Sequence, residues 1–271
     1  MSAANSITKT LKRIKWRVLN LSVISVYIAA NIGFIVFTLP PAVILYPFRR
    51  LRIKVISGCL RCLLYAMFVK IAPLIGYYKL DAVENKNLFN RKNTIYVCNH
   101  TSLIDPLIAL ALIPDAAILL KSKYSKWLAI WYLIRVLDFV EVKGVSPADL
   151  LDVTEKSKKI LEGKRNMIIF PEGTRSASER VMDFKNFAFK LAKESNREIV
   201  AMCICSQNPF FAKNRGGLLP AKPTRFHIEA IGTINPADYK DTDTLCGAAH
   251  RIVSKRVRLF HSENPCEKES E

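Results

Sequence analysis

The chain changes texture near residue 80. Before that point, residues 18–48 carry no charged side chain, and the apolar run is interrupted mainly by Pro40 and Pro41. As a helix the leg 20–39 is about 30 Å long, enough to cross the hydrocarbon of a bilayer. It is too long for a signal-peptide core and lacks a clear small-residue cleavage site, so it is expected to be retained. Basic residues flank it on both sides, Lys9, Lys12, Arg13, Lys15 and Arg17 before and Arg49, Arg50, Arg52 and Lys54 after. A single span would put one cluster on the disfavoured side. The proline pair is therefore read as the bend of a re-entrant hairpin with both ends cytoplasmic. Residues 51–78 stay mostly apolar but carry Arg52, Lys54, Arg61 and Lys70. That pattern is read as a helix lying in the interface with its cationic tips reaching for head groups, the alternative being a buried helix of the following domain.

From Asp81 short apolar runs alternate with longer mixed segments. Residues 94–98, 117–120, 139–142, 167–170, 199–204 and 226–231 read as strands. Between them, 106–113, 124–136, 147–162 and 184–194 read as helices, and 244–260 as a basic closing helix. Strands alternating with helices predict an α/β domain with a mostly parallel sheet flanked by helices. The expected division is thus 1–80 as apolar membrane-anchoring helices, 81–261 as the α/β domain, and 262–271 as a disordered acidic tail.

Charge supports this division. Of the net charge of +18, two thirds sits in the first 80 residues, which hold twelve Lys and Arg and no acid. Cations bordering long apolar runs point to anionic membrane phospholipids as the partner, and no nucleic acid is expected. The seven cysteines give no metal or disulfide framework; Cys59 and Cys62 are read as packing residues, and an odd, scattered set suits a reducing compartment. The four histidines show no ligand spacing, so no metal is expected.

Two short blocks carry chemistry. Asn99-His100-Thr101-Ser102-Leu103-Ile104-Asp105 follows a predicted strand. Residues five apart on a regular helix point about 140° from one another, so His100 and Asp105 meet only if His100 sits in the turn before a helix that Asp105 begins. Either Ser102-to-Asp105 forms a capping box, or Asp105 caps and Pro106 takes the first helical position. An imidazole is a base suited to an alcohol near neutral pH, and a carboxylate on its other nitrogen fixes the tautomer. The second block, Phe170-Pro171-Glu172-Gly173-Thr174-Arg175-Ser176, supplies a glycine turn with exposed N–H groups, hydroxyls, and an arginine suited to bidentate phosphate binding. Both blocks would fall beyond strand carboxyl ends, where open α/β sheets place their sites.

Together the blocks resemble the first and third signature motifs of the glycerolipid acyltransferases, the family of lysophosphatidic acid acyltransferases. The likeness covers residues 94–205. It implies His100 as base, Asp105 as its orienting acid, and Glu172 and Arg175 as acceptor-binding residues, with Gly173 as the supporting glycine; Thr174 is expected to add a substrate-binding hydroxyl. The second motif corresponds to 121–144, but Asp138 stands where a glycine is usual and Lys143 where an arginine is usual. Lys121 and Lys143 are expected phosphate contacts, although a lysine cannot bind in the bidentate manner of arginine. The fourth motif lacks its proline at 200–202, and Phe187 replaces an expected glycine. The implied reaction is transfer of a fatty acyl group from acyl-CoA or acyl carrier protein, as co-substrate without a cofactor, to a lysophospholipid. The acceptor expected is 1-acylglycerol 3-phosphate; another lysolipid or glycerol 3-phosphate also fits. The catalytic domain is expected on the cytoplasmic face of a membrane.

Overall fold

A computed structural model describes residues 3–176, 180–208 and 224–265 of the chain. Helix α1, Ala3–Ile44, runs straight through Pro40 and Pro41, so the expected bend is displaced. The two prolines remove donors only from the last turns of the helix, which weakens its end without stopping it. The chain reverses at 45–48, where Leu45 N–H donates to Pro41 and Phe48 N–H to Leu45. Helix α2, Arg49–Leu64, then continues through a π-helical stretch, Tyr65–Ile71. Trp16 meets Tyr77 with ring centroids 6.3 Å apart, and Tyr27 meets Phe68 at 6.2 Å. These pairs show that α1 and the second arm run antiparallel. Both arms are long and apolar enough to cross a membrane, over Ile14–Ile44 and Arg49–Leu74.

The hairpin is not a separate body. Ile53, Ile56, Leu60 and Leu64 of α2 are buried in the same core as the sheet. Helix α1 is fastened at two points, by Tyr77 donating to Asn20 at 2.8 Å and by the hydroxyls of Thr38 and Tyr132 at 2.9 Å. Cys59 and Cys62, expected to pack, are exposed on α2, whose buried stripe falls at Ile56, Leu60 and Leu64.

Strand β1, Tyr78–Glu84, opens the sheet, so the boundary expected between residues 80 and 81 falls inside a strand. The other strands are β2, Ile95–Cys98; β3, Ala116–Lys121; β4, Val140–Val142; β5, Asn166–Ile169; β6, Ile199–Ser206; and β7, Thr224–Ile234. Among the described residues they form one sheet ordered β1-β7-β6-β2-β5-β3-β4. The run from β6 to β4 is parallel, as expected, while β7 pairs antiparallel with β6 and parallel with β1. Every residue of β2, β5 and β6 is buried, which is why these strands read as unbroken apolar runs with helices on both faces.

Among the described residues, the helices of eight residues or more that follow β1 are α3, Asp105–Leu112; α4, Leu128–Leu137; α5, Pro147–Glu162; α6, Phe187–Ser195; and α7, Thr242–Glu263. Helix α5 starts where its sequence says, with Ser146 accepting from Asp149 N–H and Pro147 in the first turn. Helix α7 opens on a capping box between Asp241 and Thr244. It extends through Ser262 and Glu263, two residues of the expected tail, and Arg225 donates to Asn264 just beyond. The rest of that tail, 266–271, lies outside the described residues.

Candidate active site

The site is built where β2 and β5 end side by side. Beyond Cys98 the buried Asn99 takes over the sheet's hydrogen bonding with its side chain: Nδ2 donates to Ile204 O and Oδ1 accepts from Ile204 N, both at 3.0 Å. The next residue, His100, is thereby held in a fixed position past the strand. Its Nδ1 lies 3.1 Å from Asp105 Oδ2. The same oxygen accepts from Thr101 N and Ser102 N, each at 2.7 Å. Asp105 is fully buried at the start of α3 and reaches back over the turn, as the return arm of a capping box does. The outward arm is different: Ser102 Oγ accepts from Ile104 N at 3.3 Å instead of from Asp105 N. The five-residue spacing thus works as the sequence requires, with the ring in the turn and the acid in the first helical residue.

With Nδ1–H facing the carboxylate, Nε2 is the basic nitrogen. Among the described residues it has no hydrogen-bond partner, and the side chain is 15% exposed. The ring rests on Phe170, centroids 4.6 Å apart, which limits its rotation.

The second block grips the same histidine. Glu172 Oε1 accepts from His100 N at 2.7 Å, and Ser176 N donates to His100 O at 2.7 Å. Glu172 is 2% exposed, and its other oxygen accepts from Met182 N at 3.0 Å. Burial pushes its carboxyl up to about 7, against the two backbone donors, which pull the other way. Both oxygens of Glu172, for which the resemblance implies acceptor binding, thus accept from backbone groups inside the protein. Gly173 has φ +67°, a left-handed turn that another residue would strain. Thr174 and Arg175 are half-buried on the same turn.

Lys121 and Lys143 are exposed at neighbouring strand ends, Lys121 pairing with Val142 across β3 and β4. They lie two and three strands from β2, about 10 and 15 Å at the usual strand spacing. Asp138, which replaces a usual glycine, keeps the left-handed conformation with φ +54°. It gains an ion pair to Arg49 at 2.7 Å, and that bond ties the second motif to the start of α2. Phe187 opens α6 half-buried against the core.

One residue escaped the sequence reading. The side chain of Lys185 lies across Gly173, its Nζ 3.1 Å from where a Cβ on that glycine would stand. Its backbone N–H donates to Pro171 O, so the cation is anchored beside the turn. The available signal was a lysine directly after Phe184, ten residues beyond Arg175. On the other side of β2, at β1 and β7, Glu84, His227 and Glu229 approach one another closely enough to hold a cation, but Arg256 donates to Glu229 there.

The chain belongs to the glycerolipid acyltransferase family. Residues 81–205 match the family described as Acyltransferase. A Caenorhabditis elegans protein provisionally named 1-acyl-sn-glycerol-3-phosphate acyltransferase acl-1 is 35% identical over 188 residues, 68% of this chain and 70% of its own length. The 1-acyl-sn-glycerol-3-phosphate acyltransferase of Cocos nucifera is 28% identical over 54% of this chain and 48% of its own length. The chain spans about half the length of several of the curated relatives it matches. In fold it is similar to the 1-acyl-sn-glycerophosphate acyltransferase PlsC from Thermotoga maritima, with a TM-score of 0.77, 20% identity, and coverage of 93% of this chain and 98% of that one.

Proposed function

We propose that the protein transfers a fatty acyl group from the thioester of CoA or acyl carrier protein to the hydroxyl of a lysophospholipid, with 1-acylglycerol 3-phosphate as the acceptor. One observation carries this reading: His100 is held by Asp105 with Nε2 open, beside the turn that contains Arg175. The names of the relatives supply the acceptor.

In this reaction Nε2 of His100 takes the acceptor's hydroxyl proton as its oxygen attacks the thioester carbon. Asp105 stabilises the imidazolium that forms. The C–S bond breaks, and the proton passes from Nε2 to the leaving thiolate. No covalent enzyme intermediate and no cofactor are needed. Arg175 binds the acceptor phosphate, with Lys185, Lys121 and Lys143 adding positive charge around it. Glu172 positions His100 and the turn relative to each other. The apolar hairpin seats the enzyme on a membrane with the α/β domain at the cytoplasmic face, where both substrates are reached.

The test is a panel of lysolipids and glycerol 3-phosphate, each offered with an acyl-CoA and an acylated carrier protein, with products weighed by mass spectrometry. Acylated 1-acylglycerol 3-phosphate as the dominant product supports the proposal. No acylated product from any acceptor with either donor would replace it with a lipid-binding scaffold.

A further inference from the structure

Outside the hairpin, exposed large apolar side chains gather at one edge of the sheet. Trp127 is 58% exposed, Leu128 70% and Trp131 48%, all at the start of α4, and Val145 is 84% exposed in the loop after β4. Cations are interleaved with them. Lys123 Nζ stands 4.9 Å from the centre of the Tyr124 ring, and the Arg135 guanidinium 5.9 Å from that of Trp131. Lys126 is also exposed, and no Asp or Glu occurs from 116 to 137. Tyr124 in turn meets Trp127 edge-on at 5.7 Å.

A soluble surface would not keep two tryptophans and a leucine in water on adjoining turns. Helix α4 joins the hairpin through Tyr132, which meets Phe34 and Thr38 of α1, and Phe37 beside them is 82% exposed. The patch therefore continues the hairpin's apolar face onto the α/β domain. Amphipathic aromatics ringed by cations match the head-group zone of an anionic leaflet.

We infer that the start of α4, from Lys123 to Arg135, is a second membrane contact, belonging to the α/β domain itself and occupied by anionic phospholipid. Its place gives it a purpose. Strand β3 ends at Lys121 just before the patch and is a direct neighbour of β5, which leads into the Gly173 turn. Seating this edge in the leaflet holds the carboxyl end of the sheet at head-group depth, so that a lysolipid enters sideways without leaving the bilayer. This last consequence rests on the acyltransferase reading; the contact does not.

The experiment uses the full chain in phosphatidylcholine–phosphatidylglycerol vesicles. Of the chain's three tryptophans, Trp16→Phe leaves only Trp127 and Trp131. Their fluorescence is expected to be quenched by brominated lipids and protected from iodide. Quenching by iodide but not by brominated lipid would overturn the contact. Protection from both quenchers would also overturn it, in favour of a second copy of the chain. In a second arm, Trp127→Ser/Trp131→Ser, both exposed and free of core packing, should slow acyl transfer to vesicle-borne lysophosphatidate by about tenfold while transfer in detergent micelles holds. Equal rates in the two settings would contradict the purpose assigned to the patch. Lipid quenching of the Trp16→Phe protein together with no transfer by wild type would remove the enzymatic reading and leave the contact standing.

Discussion

His100 and Lys121 occupy equivalent places, each at the carboxyl end of a parallel strand, and differ in burial. Around His100 the backbone N–H and C=O are both bound by the second block, the ring is bound by Asp105, and Asn99 extends the sheet beneath it. Lys121 ends β3 with an exposed side chain, beside an exposed Lys143. Two of the four motif departures fall on the second region, Lys143 for an arginine and Asp138 for a glycine; the other two lie in β6 and at the start of α6. The lesson is that proton chemistry demands a rigid, buried frame, whereas charge supplied over 10 Å or so tolerates exchange of its carriers.

Substitutions should sort along the same line. Asp105→Ala is expected to have the largest effect, because it frees the ring and strands two buried backbone donors. Loss of orientation should lower kcat by about 10²–10⁴-fold, and the stranded donors should cost about 2–4 kcal/mol of stability in denaturant titration. Glu172→Gln comes next. A carboxamide can satisfy one of the two backbone donors but presents N–H to the other, so a loss of about 1–3 kcal/mol is expected. If Glu172 positions His100, kcat falls about tenfold with the acceptor KM nearly constant; a rise confined to KM would restore it as an acceptor ligand.

Glu172 also sets a pH signature. Its folded pKa is raised to about 7 from an ordinary 4.5, so the native state holds the proton more tightly than the unfolded chain. Its stabilising contribution is full below about 4.5 and is lost as pH climbs through 7. The melting-temperature advantage of wild type over Glu172→Gln should therefore shrink between pH 5 and pH 8. A constant or widening gap would show that the carboxyl is not held protonated by burial.

At the tolerant edge the effects are smaller and fall on binding. Lys185→Met should raise KM for a phosphate-bearing acceptor about tenfold with kcat unchanged, and Lys185→Arg should restore most of it. Equal loss toward an acceptor with an uncharged head group would show that the side chain merely covers Gly173. Lys143→Arg should lower the same KM by only about threefold, by allowing bidentate contact.

Much of this was legible in the sequence, for identifiable reasons. Strands β2, β5 and β6 are buried on both faces, so they stand out as apolar runs; Ser146 and Pro147 mark the start of α5. Strand β1 was missed because an edge strand alternates, with Tyr78 buried and Lys79 and Asp81 exposed, and follows directly on an apolar helix. The proline pair misled because a proline's effect depends on how much helix remains beyond it. His100 and Asp105 were readable as a spacing. The role of Glu172 was not, since its partners are backbone groups of His100 and Met182, which carry no side-chain signature. Lys185 was hidden likewise, its position being fixed by contacts with Pro171 and Gly173, fourteen and twelve residues earlier in the chain.

The central claim is that one acid-held imidazole performs the proton transfer, and kcat of purified His100→Ala in vesicles tests it most directly. The account predicts a fall of about 10²–10⁴-fold with the circular dichroism spectrum of the wild type retained. Undiminished turnover by a folded His100→Ala protein would contradict it.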